Sequence, residues 1–322
     1  MGSRSGIAAA LVAALALAAP SPPAVAQERY LVFGGGSTGG LFFIVAAGMA
    51  RVVEKNVPGL RVTAQVTSGA VENVRLMGTS KVDCALGSAD SAFHAANQSG
   101  PFAKERYTNI RYVTRGYTSA FHNIVLPDSP IRALGDIKGK RVGILIGITA
   151  QDWFPAVAQV YGMTQGKDFR VSVLRATELV NALRDGNVDM AVYMGGAPTS
   201  TITDIATSRG VKFVPIDARE GDDLIRTHPY FSRGVLEKGT YPGIAEDVPT
   251  IRVPNLFMCR EDVPEAVVYG ITRTLMEKED ELRQIHPEAA AFGLANAGKS
   301  VIIPVHPGAE RYYREKGIKL GS

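Results

Sequence analysis

Tyr30-Leu31-Val32-Phe33-Gly34-Gly35-Gly36-Ser37-Thr38-Gly39-Gly40-Leu41-Phe42-Phe43-Ile44-Val45-Ala46-Ala47 reads as a short strand, a tight glycine turn and a helix. Glycines let the backbone approach a ligand closely, and the first N–H groups of a helix have no internal partner. Such a turn suits an anion, most simply a carboxylate or phosphate. It formally matches Gly-x-Gly-x-x-Gly through Gly34, Gly36 and Gly39. A dinucleotide fold also needs an acidic residue closing the second strand, and that strand ends Gln65-Val66-Thr67-Ser68-Gly69. A bend rich in glycine for its geometry alone stays open beside the anion cradle.

Moving outward, two passages echo each other: Asn73-Val74-Arg75-Leu76-Met77-Gly78…Val82-Asp83-Cys84-Ala85-Leu86 and Asn181-Ala182-Leu183-Arg184-Asp185-Gly186…Val188-Asp189-Met190-Ala191-Val192. Each reads as a helix closed by a glycine, a polar link, then Val-Asp and a buried strand. The repeat distance, about a hundred residues, is too long for a solenoid and indicates two similar α/β lobes. Strands are expected near 29–33, 60–66, 82–87, 110–116, 121–126, 141–146 and 169–174. Helices are expected near 38–55, 71–77, 152–161 and 265–285, with a short one from Asp90. Alternating strands and helices imply mainly parallel sheets with ligands at the carboxyl ends of strands, in a cleft between lobes.

The first 26 residues carry one Arg, an Ala- and Leu-rich run from Gly6 to Ala19, a Pro20–Pro23 break and Ala24-Val25-Ala26 before Gln27. That pattern is a secretory signal peptide, too short for a confident membrane span, and implies an exported, periplasmic protein. The alternative is an uncleaved N-terminal anchor. The 322 residues hold 35 Lys and Arg against 31 Asp and Glu, a formal charge of +4. Both signs are interspersed, so nucleic-acid binding has no support. The two cysteines, Cys84 and Cys259, lie in apolar strand-like runs and are read as buried free thiols, although an oxidising compartment permits a bridge. The five histidines show no metal-ligand spacing, so neither a metal nor a cofactor is expected.

Five strand-end loops are small or polar: the first turn, Thr67-Ser68-Gly69-Ala70, Gly87-Ser88-Ala89-Asp90, Gly147-Ile148-Thr149-Ala150 and Gly195-Gly196-Ala197-Pro198. Together they offer backbone donors and hydroxyls around one ligand. Asp90 would accept from a ligand ammonium or simply cap its own helix. Trp153 and Phe154 either line the cleft or pack in the core. With no metal-binding His pair and no nucleophile signature around either cysteine, the set reads as one that binds rather than reacts.

Phe33–Gly40, Thr67-Ser68-Gly69-Ala70-Val71-Glu72-Asn73, Gly239-Thr240-Tyr241-Pro242-Gly243 and Val305-His306-Pro307-Gly308-Ala309-Glu310-Arg311-Tyr312-Tyr313 make the chain resemble TAXI-type solute-binding subunits of TRAP transporters. The resemblance implies a type II periplasmic binding protein: Rossmann-like lobes at 27–119 and 120–245, joined by hinge strands, with 246–322 returning to the first. It also implies a monomer that closes on a glutamate-like amino acid or small carboxylate and delivers it to a TRAP permease. The expected ligand-binding set is Gly36, Ser37, Thr38, Gly39, Gly40, Phe42, Ser68, Ala70, Asn73, Ser88, Asp90, Ile148, Thr149, Ala150 and Gly196. The family usually has Gly-Ser-Gly-Thr where this chain reads Gly147-Ile148-Thr149-Ala150. Losing hydroxyls there would leave a fully polar ligand end unpaired, at about 1–3 kcal/mol per group. A carboxylate with an apolar portion is therefore expected in place of glutamate. A receptor-coupled sensor of the same fold and an exported α/β enzyme are the remaining alternatives.

Overall fold

The structure, a computed structural model, describes residues 28–321 apart from Ile148 and Pro229. The signal-peptide reading of 1–26 lies outside the described residues, among which no helix is long and apolar enough to cross a membrane.

The first half runs β1 (Arg29–Gly34), α1 (Leu41–Asn56), β2 (Leu60–Gln65), α2 (Ala70–Gly78), β3 (Cys84–Ser88) and α3 (Ala89–Asn97). A long strand, β4 (Ile110–Val125), leads to β5 (Arg141–Leu145), α4 (Phe154–Val160), β6 (Arg170–Leu174), α5 (Ala176–Arg184) and β7 (Met190–Gly195). Then come α6 (Ser200–Arg209), β8 (Lys212–Phe213), α7 (Ala218–Thr227), β9 (Ser232–Leu236), β10 (Val248–Arg260), α8 (Glu265–Glu277), α9 (Glu279–Ile285) and α10 (Pro307–Glu315). The tail expected as one helix is two, parted at Lys278.

One continuous sheet links everything in the order β2-β1-β3-β10-β4-β7-β5-β6. Its flanks are parallel, β2-β1-β3 on one side and β7-β5-β6 on the other, while β4 and β10 join them in antiparallel fashion. The two separate strands expected at 110–116 and 121–126 are one sixteen-residue strand. Ile110 to Ala120 pair with β10, and Ala120 to Ile124 pair with β7. Within the first pairing the register slips: Gly116 and Tyr117 stand opposite Asn255 alone. Two residues facing one is a β-bulge, which bends the strands and re-aims side chains. Gly116 has no room for a Cβ there, because the Phe292 ring would lie 2.2 Å from it.

The echoed Val-Asp pairs have one job. Asp83 accepts from the Val32 N–H at 2.8 Å, and Asp189 accepts from the Arg141 N–H at 2.7 Å. Each carboxylate thus ties the start of its strand to the neighbouring parallel strand. The glycines before them differ. Gly186 takes the left-handed conformation after α5 (φ 71°), but in the first unit Ser80 does so (φ 59°), and Gly78 instead makes way for Tyr107.

Cys84 and Cys259 form a disulfide, which corrects the free-thiol reading. Both are fully buried, as the apolar runs suggested, but they sit directly opposite on β3 and β10. Their 175-residue separation hides that adjacency in the sequence. The tail motif is framework. His306 accepts from the Gly308 N–H at the start of α10, and Gly308 lets that helix close on α8, since a Cβ would meet Glu265 O at 2.4 Å.

Candidate functional site

The parallel strands of both flanks end at one cleft. Gly36, Ser37, Gly40, Leu41 and Phe42 line it after β1, Ser68, Gly69 and Ala70 after β2, and Ser88 at the end of β3. The opposite wall is Leu145, Ile146, Gly147, Thr149 and Trp153 after β5, with Tyr193 to Gly196 and Thr199 after β7. The floor is the bulge itself: Tyr117, Ser119 and Asn255.

The glycine turn is held from behind. Asn73 donates to Gly35 O at 2.5 Å and to Leu86 O at 2.7 Å, and Thr67 Oγ1 donates to Gly35 O at 3.1 Å. Asn73 is fully buried and positions the turn; it is not on the cleft wall. Thr38 and Gly39 form the exposed tip of the turn, and Ala150 packs inward, so these three are also off the wall. Ile148 lies outside the described residues. Gly40 N–H closes onto Ser37 O, and Phe43 and Ile44 return to Gly40 O. That leaves the Leu41 and Phe42 N–H groups as donors without a partner in the chain, and the first turn of α1 has no acidic residue.

At two other helix starts on the cleft a side chain already takes the N–H group just before the helix. Glu72 accepts from the Ser68 N–H at 2.6 Å and from the Ser68 hydroxyl at 2.7 Å, which also holds Glu72 below the usual carboxylate range. At α3, Ser91 folds back to accept from the Ser88 N–H at 3.1 Å and donates to Ser88 O at 2.7 Å. Ser88 is therefore the N-cap, and Asp90, weighed above for that role, sits two residues further on in the first turn and is fully buried.

Asp90 belongs to a cluster behind the wall. Trp153 Nε1 donates to Asp90 Oδ2 at 2.6 Å. His94 Nε2 faces Asp152 Oδ2 at 3.2 Å, the Tyr230 hydroxyl donates to the same oxygen at 2.8 Å, and His94 Nδ1 meets Ser99 Oγ at 2.8 Å. Asp90 and His94 come from the α3 side, while Asp152 and Trp153 come from the π-type turn after β5 (Thr149–Trp153). Burial pushes Asp90 up to about 7, against the pull of Ser88, Trp153 and His94. Burial is the largest influence on His94 and opposes its charge, but the hydrogen bond to Asp152 and the charges of Asp152 and Asp90 together hold the imidazole above its ordinary value. Burial likewise works against the Asp152 carboxylate, and the His94 bond and charge with the Tyr230 bond together keep it below its ordinary value.

No Asp, Glu, Lys, Arg or His lines the cleft among the described residues. Reading the sequence missed Tyr117, Ser119, Asn255 and Tyr193. They lie within strands rather than in loops, and only the bulge turns the first three to the cleft. Trp153 serves both uses weighed above, buried against Phe121 and Phe231 yet lining the cleft. Further back, Tyr241 of the Gly239–Gly243 passage accepts from the Thr199 N–H at 3.1 Å and meets His122 Nε2 at 3.0 Å. Among the described residues no group of three metal-ligating side chains comes together.

A model of the NMT1-like family matches residues 33–317, and the chain belongs to that family. Among solved structures, XAC2383 from Xanthomonas citri bound to chloride ion is similar at a TM-score of 0.52 and 12% identity, over 89% of this chain and 95% of that one. A protein from Bordetella bronchiseptica RB50 gives 0.50 and 13%, over 91% and 83%. The periplasmic aliphatic sulphonate binding protein SsuA from Escherichia coli gives 0.47 and 14%, over 89% and 79%. At such identities the likeness is one of fold, the mixed α/β architecture of type II periplasmic binding proteins.

Proposed function

We propose that this NMT1-like protein is an exported solute-binding protein that captures a small carboxylate in the cleft and hands it to a membrane transporter. The observation that carries this reading is the cleft's composition: it lies at the strand ends of both flanks, has no charged side chain among the described residues that line it, and faces the open start of α1. An oxyanion there meets backbone N–H groups and a helix dipole rather than a titrating partner. The titratable groups that could do acid–base chemistry stand behind the wall, which favours binding over reaction.

In this reading, 27–119 with 246–322 and 120–245 act as two lobes, and β4 and β10 are the hinges. Ligand contacts to both walls favour the closed arrangement, which the membrane partner recognises. Close approach across the cleft supports the motion: a Cβ on Gly196 would lie 2.4 Å from Leu41 Cδ2, and one on Gly147 would lie 3.6 Å from Ser68 O. The Phe33–Gly40 and Val305–Tyr313 passages favour a TRAP-type permease as recipient, and a monomer as the working form. Small-angle scattering with native mass spectrometry tests the reading. The exported protein should carry or take up one small acid, contract on binding it and release it unchanged. Recovery of a chemically altered acid would overturn it in favour of an enzyme.

A further inference from the structure

Resting on the cleft as the ligand site, we propose that its ligand is a monoanion with one oxyanion head and an uncharged, flat apolar body, an aryl or branched alkyl acid, and that Tyr117, Trp153 and Tyr193 select it. The helix starts place the oxyanion head at α1. Before α2 and α3 the Glu72 carboxylate and the Ser91 hydroxyl already accept from the Ser68 and Ser88 N–H groups, whereas the Leu41 and Phe42 N–H groups of α1 face no side-chain acceptor. A second, independent sign of a ligand is Tyr117. It is 3% exposed, it lines the cleft, and its hydroxyl makes no hydrogen bond within the protein.

The body is set by what surrounds it. Phe42 and Tyr117 meet edge to face, with ring centroids 6.3 Å apart, and Trp153 and Tyr193 stand on the facing wall. Such rings reward a flat apolar body. A second carboxylate would lie among these rings with no cation to pair it, and an ammonium would find no wall carboxylate. Glu72 is engaged by Ser68, and Asp90 by Trp153 behind the wall. The polar pair on the floor is neutral: Asn255 Nδ2 donates to Ser119 Oγ at 2.8 Å. One ligand hydroxyl or carbonyl can join that pair or the Tyr117 hydroxyl.

Isothermal titration of the exported protein at pH 7.5 tests this with phenylacetate, benzylsulfonate and isovalerate against succinate, glutamate and phenylalanine. The inference expects at least one of the first three to bind a hundred-fold or more tighter than any of the second three. The phenylacetate and benzylsulfonate arms tell a carboxylate head from a sulfonate head. Tyr117→Leu should weaken the aryl ligand ten-fold or more while the melting temperature holds, and Tyr193→Leu gives an independent check on the opposite wall. Succinate, glutamate or phenylalanine binding as tightly as the monoanions overturns the inference and leaves the solute-binding reading standing. Binding of none of the six also overturns it, and the solute-binding reading is then judged on the acid the exported protein carries.

Discussion

The cleft wall and the cluster behind it share Trp153, which lines the one and donates its indole N–H to Asp90 in the other. On the wall, among the described residues, there is no Asp, Glu, Lys, Arg or His; behind it Asp90, His94, Asp152 and Tyr230 lie within hydrogen-bond reach of one another or of that indole. A few ångströms thus separate a neutral surface that leaves an oxyanion to backbone dipoles from a desolvated cluster that shares protons between the two flanks. Ligand selection and the grip between the flanks are in this way assigned to different side chains. Substitutions should therefore move one without the other.

The largest effect should come from filling the cleft. Gly196→Val places methyl groups where Leu41 and Tyr117 already crowd. Because Leu41 can yield only into the cleft, ligand affinity should fall a hundred-fold or more by calorimetry, with little change in melting temperature or its pH profile. A shifted pH profile would join the two regions and break the comparison.

Next is Asp90→Asn. In the folded chain Asp90 keeps its proton up to about pH 7, whereas unfolded it releases it near 3.8. The folded state therefore binds more protons between those values, and stability falls as pH rises from about 4 to about 7. His94, also held above its ordinary value, extends the loss upward. His122 acts the other way: burial lowers it to about 4, so its contribution is lost as pH falls from 6.5. Comparing wild type with Asp90→Asn cancels His122. The variant should be the more stable by on the order of 2 kcal/mol at pH 8, and the gap should close toward pH 4.5. A gap that is independent of pH would refute the assignment.

A charge placed on the wall should act oppositely. Asn255→Asp, nearly isosteric and measured at pH 8, should weaken an anionic ligand by about ten-fold, about 1.4 kcal/mol, and leave the wild-type pH profile otherwise intact. Tyr230→Phe is the mildest change. Removing its donor to Asp152 should cost the closed arrangement about 1 kcal/mol and weaken every ligand about five-fold without altering their ranking.

Much of the frame was legible in the chain. The alternation of strands and helices, the glycine turn at the head of α1 and the echoed Val-Asp units all follow from local periodicity and turn chemistry. Asp83 and Asp189 repeat one bond to the neighbouring parallel strand, 51 and 48 positions earlier; the echoed local pattern around them marked the pair, not the bond itself. The site was legible only where it is made of loops. Asn73 and Asp90 carried the right chemistry, but both are turned inward, Asn73 to hold the glycine turn and Asp90 to meet Trp153.

By itself, then, the sequence determined two parallel flanks, the turns that end them and an open helix start on one side. Those features depend on neighbours within a few residues, where hydrophobic period and glycine placement act directly. Tertiary structure alone decided that Cys84 bonds Cys259, that β4 runs unbroken through both flanks and that a bulge brings Tyr117 to Asn255. The disulfide and the bulge join residues more than a hundred positions apart, and β4 reaches both flanks only through partners far from it in the chain. The pairing of distant strands is settled by the collective burial of the sheet, and no local stretch carries it.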